Sequence, residues 1–353
     1  MEQVDRGLRK FFPDFQAVIL NLDGNSTDKT TDIFLNTQTE TEKKVLQEKE
    51  VTGKGNVLRL LFEYMGDEEV LAAMVVDADL KSITPEWVKL LLNPIIEKDY
   101  DYCTPLYSRH KYDGTITNNV IYPLVFGLYG KDIRQPIGGD FSFSGELAKY
   151  WLKQKWYDST GRFGIDNFMT TNAIVGGYKI CQVGLGSKKH KPSAPSLNQM
   201  FLEVVDTLFR NLHNHSAYLK GISKVDSIPI FGVELAEPQQ LGFDKEKIRE
   251  QVDKELKERQ SFYQSILPES LAATIVRSMN ERNWVKLLLW YAKNYSERKE
   301  IEYLESLRTL YFARVYGFIE ETLKMEHSAA EERIKEQATI FFKERKKYFY
   351  DSD

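Results

Sequence analysis

The sequence is poor in several features that would indicate a particular environment or ligand. Its 353 residues contain two cysteines, Cys103 and Cys181, which form no CxxC pair, so a disulfide framework is excluded and a reducing compartment is indicated. No apolar run approaches the roughly 20 residues of a membrane span, and the N-terminus lacks the apolar core of a signal peptide. The formal net charge of -4 offers no basic excess for nucleic acid. We therefore expect a cytoplasmic protein without a transmembrane segment that binds no nucleic acid.

Hydrophobic periodicity divides the chain into two parts. In the first part, β-prone apolar runs such as 15–22 and 71–80 alternate with helix-like segments, which predicts an α/β domain with a mostly parallel sheet. In the second part, apolar residues recur at spacings of three and four, which predicts packed amphipathic helices. We predict one domain over 1–221 and a helical domain over 222–353.

Three stretches have weaker signals. Residues 37–50 are polar and predict a surface helix or loop. Ser26 or Thr27 is a candidate cap for a helix that starts near Asp28. Residues 222–243 contain several prolines and glycines, which indicates an extended connector between the two parts.

An acidic pair, Asp77 and Asp79, stands at the end of the apolar run LAAMVVDADL. Open α/β sheets bind ligands at the carboxyl ends of their strands. Two hard carboxylate oxygens at that edge suit Mg²⁺ or Mn²⁺, which can bridge to a diphosphate. Because Asp-x-Asp also occurs by chance, the alternative is a solvated strand end or a helix cap.

Four turns contain residues that suit an anionic or sugar ligand. Asp23 lies in a tight turn before a predicted helix start, where it either contacts a ribose or base or only shapes the turn. Lys54, between two glycines, either reaches a phosphate or lies on a flexible surface turn. Gly138 and Gly139 either admit a ligand close to the backbone or serve a bulge. Asp166 is either catalytic or the N-cap of a helix.

A basic loop contains a histidine. His190 is flanked by Lys188, Lys189 and Lys191, which would draw the loop toward phosphate. A lone loop histidine is usually only solvated, but an imidazole can also complete a metal site begun by Asp79.

Taken in order, the segments LDGNSTDKT, GKG, VDADL, TPEWV, QPIGGDF, GIDNF and KKHKP resemble the retaining GT-A glycosyltransferases of the glucosyl-3-phosphoglycerate synthase and mannosylglycerate synthase type. The similarity covers most of the chain. It implies a GT-A fold with a helical C-terminal region. It also implies metal-dependent transfer of glucose or mannose from a UDP-, GDP- or ADP-hexose to D-glycerate or 3-phosphoglycerate, with retention at the anomeric carbon.

The resemblance also implies a role for each motif residue. Asp79 and His190 would bind the Mg²⁺ or Mn²⁺ ion. The residues that would contact the nucleotide sugar are Asp23, Lys54, Asp77, Gly138 and Gly139. Asp166 would hold sugar or acceptor hydroxyls, and the backbone of Ile137 would lie near the reacting sugar. On the acceptor side, Arg109 and Thr117 would bind a carboxylate, and Asn118, the residue after Thr117, is also expected to bind the acceptor.

The sequence departs from the family at two points. The family usually has Glu after the paired glycines, where this chain has Asp140. Family members also open with a strand that cradles the nucleotide base, and this strand is expected to be missing here. The alternatives are a related transferase with a lipid or glycan acceptor, and an inactive homologue that acts as a binding or scaffold subunit. Aromatic residues in the C-terminal helices favour either a homo-oligomer interface or a larger core.

Overall fold

The computed structural model of the chain describes residues 1–189, 197–235, 237–238, 242, 244–295 and 301–350, with only the backbone described for 347–350. The chain divides into two units. The first contains residues 1–108, 135–195 and 228–236, and the second contains residues 109–134, 196–227 and 237–353. The two units alternate along the chain, and the predicted boundary after residue 221 falls inside the second unit.

The first unit alternates strands and helices. Its elements are α1 (Glu2–Phe11), β1 (Val18–Leu22), α2 (Thr30–Asn36), β2 (Glu42–Leu46), α3 (Lys54–Asp67), β3 (Ala72–Val75), α4 (Pro85–Glu97), β4 (Tyr102–Ser108), β6 (Phe141–Ser144), α6 (Gly145–Leu152), α7 (Ile165–Val175), β7 (Ile180–Ser187) and β9 (Ile230–Gly232). The alternation is the one that the sequence predicts.

The strands of the first unit form two sheets. The larger has the order β3-β6-β4-β7-β9, and the smaller pairs β1 with β2 in parallel. In the larger sheet, β6 is antiparallel to both of its neighbours, whereas β4, β7 and β9 are parallel. The strands β3, β4 and β7 therefore run in the same direction and end at the same edge of the sheet.

Helix α4 covers one face of the larger sheet, and its sequence explains why it forms. Thr84 is its N-cap residue, Pro85 occupies the first helical position, and Glu86 lies in the first turn, where a negative charge is favoured. The apolar residues Trp87 and Leu91 recur at helical spacing and are buried against β4 and β7. Each such side chain contributes about 1.5–3 kcal/mol when fully buried.

The two cysteines meet on this face of the sheet. Cys103 of β4 and Cys181 of β7 are paired in register, and their sulfur atoms lie 3.2 Å apart. Both are fully buried and free. Their proximity depends on the pairing of two strands that are 78 residues apart in sequence.

Two local predictions are wrong in the first unit. Residues 42–46 form a strand rather than a surface helix or loop, because β2 pairs with β1 along its whole length. Ser26 does not cap a helix near Asp28: α2 begins at Thr30 with Lys29 as its N-cap residue. The predicted connector 222–243 does contain extended backbone, and part of it joins the larger sheet as β9.

The second unit is mainly helical. A π-helical segment (Thr117–Ile121) leads into α5 (Tyr122–Tyr129) and the short strand β5 (Lys131–Asp132). The later elements are α8 (Leu197–Asn214), α9 (Ser216–Lys220), β8 (Asp226–Ser227), α10 (Lys245–Glu258), α11 (Gln260–Ile266), α12 (Glu269–Ala272), α13 (Glu281–Asn294), α14 (Ile301–Thr322) and α15 (His327–Tyr350). The helical C-terminal region agrees with the prediction. Across the described ranges, every helix is too short or too polar to cross a membrane.

The π-helical segment is stabilised from outside the helix. In a regular α-helix, the backbone N–H of residue 123 would donate to the carbonyl of Asn119. Residue 123 is a proline and has no N–H, so this carbonyl lacks its helical donor. The indole Nε1 of Trp284 in α13 donates to that carbonyl at 2.7 Å. All five residues of the segment are buried.

Candidate functional site

One edge of the larger sheet gathers charged residues from separate segments. Asp77 follows β3 and Lys188 follows β7, so both lie beyond the carboxyl ends of their strands. Asp140 directly precedes β6, which runs in the opposite direction, and so reaches the same edge. This is the edge at which open α/β sheets bind ligands.

Lys188 is the centre of this group. Its Nζ donates to Oδ2 of Asp77 at 2.7 Å, to Oδ2 of Asp140 at 2.7 Å and to the carbonyl of Gly138 at 2.8 Å. An ammonium group has three N–H donors, so all of them are used within the protein. The Lys188 side chain is only 4% exposed. Sequence reasoning assigned this lysine to a basic loop that attracts phosphate, whereas its side chain in fact points inward and neutralises two carboxylates.

Asp140 is a fully buried carboxylate with a complete set of partners. Besides Lys188, it accepts a hydrogen bond from the hydroxyl of Tyr107 and one from the backbone N–H of Asp77 at 2.8 Å. Buried charges are stable only when they are paired and hydrogen-bonded in this way. Sequence reasoning noted Asp140 only as a departure from the family. Its position just before a strand that begins with buried residues was the signal that it would be buried.

The paired glycines pack against protein atoms. A Cβ on Gly138 would lie 2.1 Å from Cγ of Pro105, and a Cβ on Gly139 would lie 2.4 Å from Oδ2 of Asp77. Gly139 also has φ of +85°, which side chains rarely adopt. Gly139 therefore leaves space for the carboxylate of Asp77, and Gly138 leaves space for the ring of Pro105. Ile137, which precedes them, is half-buried.

Lys54 and Asp166 extend the group. The Nζ of Lys54 lies 2.8 Å from Oδ1 of Asp166 and 3.8 Å from Oδ1 of Asp77. Burial acts to lower the pKa of Lys54, but the carboxylates of Asp166 and Asp77 outweigh it and raise the pKa above the ordinary lysine value. We call the series Asp166, Lys54, Asp77, Lys188 and Asp140 the ion-pair chain.

Local backbone geometry explains how Lys54 reaches this position. Gly53 has φ of +93° and is the N-cap residue of α3, which begins at Lys54 itself. A Cβ on Gly55 would lie 1.8 Å from the carbonyl oxygen of Thr160, so the start of α3 packs directly against the loop that contains Thr160. The GKG turn is thus a packed helix start and not a flexible surface turn.

Asp166 is not an N-cap. Helix α7 begins at Ile165 with Gly164 as its N-cap residue, and Asp166 occupies the first turn. An acidic residue in the first turn is favoured by the helix dipole. Its side chain is directed toward Lys54 and is 12% exposed.

Asp23 is engaged by its own turn. Its Oδ1 accepts the backbone N–H of Ser26 at 2.8 Å, and its Oδ2 accepts the hydroxyl of Thr31. Burial acts to raise the pKa of Asp23, but the hydrogen bonds from Thr31 and Ser26 outweigh it and hold the pKa below the ordinary value. The role in nucleotide binding stays a prediction.

A divalent cation fits the chemistry of this edge. The ion-pair chain has three carboxylates and two ammonium groups, which leaves one net negative charge, and Asp79 lies in the turn that follows β3. No group of three His, Cys, Asp or Glu side chains suited to a metal occurs among the residues that the structure describes. Mg²⁺ commonly uses one or two carboxylates and takes its other ligands from substrate phosphates and water.

His190 lies outside the described residues, so its predicted approach to Asp79 stays a prediction. The residue before it, Lys189, is described. Its carbonyl accepts the backbone N–H of Lys81 at 2.8 Å, and its N–H donates to the hydroxyl of Ser82 at 3.1 Å. The backbone that leads to His190 therefore lies beside the turn that follows Asp79.

The second unit brings two of the predicted acceptor residues together. A Cβ placed on Gly114 would lie 2.9 Å from Nη1 of Arg109 and 3.7 Å from Oγ1 of Thr117. Gly114 has φ of +64°, a backbone conformation that favours glycine. A guanidinium and a hydroxyl around one glycine are groups that can bind a carboxylate.

Asn118 is almost fully buried, and its side chain is used within the protein. Its Nδ2 donates to the carbonyl of Asp113 at 3.1 Å, and its Oδ1 accepts Nη2 of Arg134 at 2.8 Å.

No protein-family model matches this chain, and no curated protein matches it. Among solved structures, the chain is similar to glucosyl-3-phosphoglycerate synthase from Mycobacterium tuberculosis in complex with Mn²⁺, UDP-glucose and glycerol 3-phosphate, with 20% identity over 59% of this chain and 75% of that chain and a TM-score of 0.45. The same enzyme with Mg²⁺ and UDP gives 19% identity over 59% and 74%, with a TM-score of 0.46.

The chain is also similar to mannosyl-3-phosphoglycerate synthase from Rubrobacter xylanophilus, with 21% identity over 62% of this chain and 71% of that chain and a TM-score of 0.46. The names of these structures agree with the resemblance found in the sequence motifs. With TM-scores below 0.5, they add no assignment of their own.

Proposed function

We propose that this chain is a metal-dependent retaining hexosyltransferase that moves glucose or mannose from a nucleotide diphosphate sugar to 3-phosphoglycerate or D-glycerate. The observation that carries the proposal is the ion-pair chain at the carboxyl edge of the sheet. It places a cation, Lys54, between two acids and beside the start of a helix. Ligands with both phosphate and hydroxyl groups suit such a mixed site.

On the donor side, Asp79 would hold Mg²⁺ or Mn²⁺ together with His190. The bound cation would supply Lewis-acid stabilisation of the leaving diphosphate. Asp77, held on one side by Lys188, is a fixed hydrogen-bond acceptor for the donor, and Asp23 would contact the ribose or base. Lys54 would stabilise negative charge on the phosphate groups.

Asp166 and Lys54 form an ion pair in which each group has its own role. The carboxylate can accept hydrogen bonds from sugar or acceptor hydroxyls, and the ammonium group 2.8 Å away compensates its negative charge. The backbone of Ile137 would lie near the reacting sugar. The resemblance favours attack from the face that the diphosphate leaves, with the leaving phosphate as the proton acceptor.

On the acceptor side, Arg109 and Thr117 would bind the carboxylate of glycerate or 3-phosphoglycerate. Arginine suits this role because its planar guanidinium can donate two parallel hydrogen bonds to a carboxylate. The clustering of both side chains around Gly114 supports the assignment. We also propose a cytoplasmic, homo-oligomeric protein that binds no nucleic acid.

A second candidate function is an inactive homologue that serves as a binding or scaffold subunit. Two observations favour it. All three donors of Lys188 are satisfied by the protein, and Asp23 is engaged by its own turn. A site with so many internal partners must release some of them to a ligand, and that release weakens binding.

Calorimetric titration of UDP-, GDP- and ADP-hexoses, with and without Mg²⁺ or Mn²⁺, tests the proposal. We expect metal-dependent binding of at least one donor, weakened about tenfold or more in Asp79→Ala. The control is Asp14→Ala, an exposed aspartate before β1, which should bind the donor as the wild type does. Unchanged donor affinity in Asp79→Ala would refute the metal role.

Turnover separates the two candidate functions. Each donor that binds is incubated with glycerate or with 3-phosphoglycerate, and the glycosylated product is measured. Product formation supports the transferase. Donor binding without product formation from either acceptor favours the scaffold subunit, and absence of metal-dependent donor binding does so more strongly.

A further inference from the structure

We propose that Asn118 is a positioning residue, held by helix α15, that fixes the loop containing Arg109 and Thr117 and thereby sets acceptor affinity. We call this loop, residues 109–117, the acceptor loop. This inference rests on the proposed function for one point, namely that the ligand bound by the loop is the acceptor. Asn118 would act through the loop and would not itself touch the acceptor.

The side chain of Asn118 closes the acceptor loop. Its Nδ2 donates to the carbonyl of Asp113 at 3.1 Å and lies 3.4 Å from the carbonyl of Lys111. Its backbone N–H donates to the carbonyl of Gly114 at 2.9 Å. Since an amide NH₂ has two donors, both are used to hold loop carbonyls. Asn118 is 4% exposed, so water does not compete for these bonds.

Helix α15 holds Asn118 from the other side. Nη2 of Arg134 donates to Oδ1 of Asn118 at 2.8 Å, and Arg134 is itself fixed by Glu331 through two parallel bonds of 2.8 and 2.9 Å. Arg134 outweighs the effect of burial and holds the pKa of Glu331 below its ordinary value. A bidentate pair of this kind sets orientation as well as distance.

A second contact from α15 fixes the backbone. Nε2 of Gln337 donates to the carbonyl of Asn118 at 3.2 Å, and its Oε1 accepts Nε of Arg314 at 2.8 Å. Gln337 and Asn118 are 219 positions apart in sequence. The carbonyl lies inside the π-helical segment, whose irregular hydrogen bonding leaves such groups in need of outside partners.

The consequence is that residues of α15 control the geometry of the acceptor loop without contacting a ligand. Glu331 orients Arg134, Arg134 orients the Asn118 amide, and the amide holds the turn around Gly114. Loss of Glu331 would leave the Arg134 guanidinium free to rotate away from Asn118. The acceptor loop would then sample more conformations. The affinity for the acceptor would fall in proportion to the fraction of molecules whose loop is in the binding-competent conformation.

The test compares Glu331→Gln with Glu332→Gln in the full chain. Glu332 is exposed on the same helix, so its variant makes the same chemical change without touching Arg134. Binding of 3-phosphoglycerate, glycerate and the nucleotide sugar is measured by calorimetry. Exchange of the backbone amides in residues 109–117 is measured by mass spectrometry. Gln337→Glu is the second variant, because it removes the donor to Asn118 but keeps an acceptor for Arg314.

For Glu331→Gln we expect the affinity for the acceptor to fall about tenfold and the affinity for the donor to stay unchanged. Amide exchange should become faster, and the increase should be confined to residues 109–117. Glu332→Gln should match the wild type in all three measurements. Unchanged acceptor affinity, or donor affinity weakened to the same extent, would overturn the proposal.

The experiment distinguishes failure of the proposed function from failure of the positioning role of Asn118. If the wild type binds neither acceptor, the proposed function fails and the exchange measurement decides the inference by itself. Amide exchange in 109–117 that is the same in the wild type, Glu331→Gln and Gln337→Glu would then overturn the positioning role. If Glu331→Gln does not fold, the same two measurements on Gln337→Glu decide the matter.

Discussion

Replacing Lys188 with methionine removes the only side-chain ammonium that contacts both Asp77 and Asp140 among the described residues. Methionine keeps most of the side-chain volume, so the change is mainly one of charge. In the variant, the partners that remain to the fully buried carboxylate of Asp140 within the described part of the chain are the hydroxyl of Tyr107 and the backbone N–H of Asp77. Asp77 keeps some access to water, since its side chain is 33% exposed.

The expected cost follows from this asymmetry. Breaking a buried ion pair by removing one partner costs about 3–5 kcal/mol, because a charge is left without compensation. Only Asp140 is deprived of both its cation and water, so we expect about 3 kcal/mol, the lower end of that range. Single domains are typically stable by about 5–15 kcal/mol, and the loss should therefore be easy to measure.

The assay is urea denaturation followed by tryptophan fluorescence and circular dichroism. Lys189→Met is the matched control, because Lys189 is the next residue and is exposed. Its variant should lie within about 0.5 kcal/mol of the wild type. Donor binding should weaken in Lys188→Met, because that variant removes the ammonium group bonded to Oδ2 of Asp77.

A double-mutant cycle with Asp140→Asn isolates the pair. The double variant should lose about 2 kcal/mol less than the sum of the two single variants, because each single change already breaks the same interaction. A loss below about 1 kcal/mol in Lys188→Met, or a coupling near zero, would mean that Lys188 does not neutralise Asp140. Tyr107 and the backbone N–H of Asp77 would then be sufficient to stabilise the buried carboxylate, and the ion-pair chain would end at Asp77.

Three further predictions concern other parts of the molecule. Arg109→Ala should raise the acceptor KM about tenfold or more and leave the donor KM nearly unchanged, whereas equal effects on both would contradict its assignment. Gly139→Ala should destabilise the protein by more than Gly177→Ala in the same denaturation assay. Gly177 has φ of +74°, and a Cβ added to it would meet no atom within 4 Å. Gly139 has φ of +85°, and a Cβ added to it would collide with the carboxylate of Asp77. Equal losses would mean that Asp77 moves aside freely. Burial lowers the pKa of His215 to about 4, so the unfolded state binds the proton first. The free energy of unfolding should therefore fall by up to about 3 kcal/mol between pH 6.5 and pH 4. His215→Gln should reduce that slope by the His215 contribution, and a slope that is unchanged in the variant would assign it to other groups.

Much of the fold could be predicted because local patterns were strong. Helix α4 has a Thr-Pro start and apolar residues at helical spacing, which are local signals for a helix. Strand β3 follows the same logic, since it lies inside the apolar run 71–80. Strand β2 was missed because its sequence, EKKVL, is polar and half-exposed, and only its pairing with β1 makes it a strand.

For the candidate site, the sequence indicated which residues were chemically suited but not how they would be used. Lys54, Asp77 and Asp166 were selected, and the structure brings them into one ion-pair chain. Lys188 was selected for the wrong reason. Its neighbours in sequence are lysines, which predicts a solvated basic loop, whereas its neighbours in space are carboxylates.

The sequence by itself determined most of the order of helices and strands, the acidic pair at the end of β3 and the glycines that mark tight approaches, because these depend on spacing along the chain. Tertiary structure alone decided that Lys188 points inward, that two cysteines 78 residues apart touch, and that Gln337 fixes Asn118 from 219 positions away. The physical reason is that a charge or a hydrogen-bonding group is defined by what surrounds it. That environment is assembled only when distant segments pack, so no local window of sequence contains it.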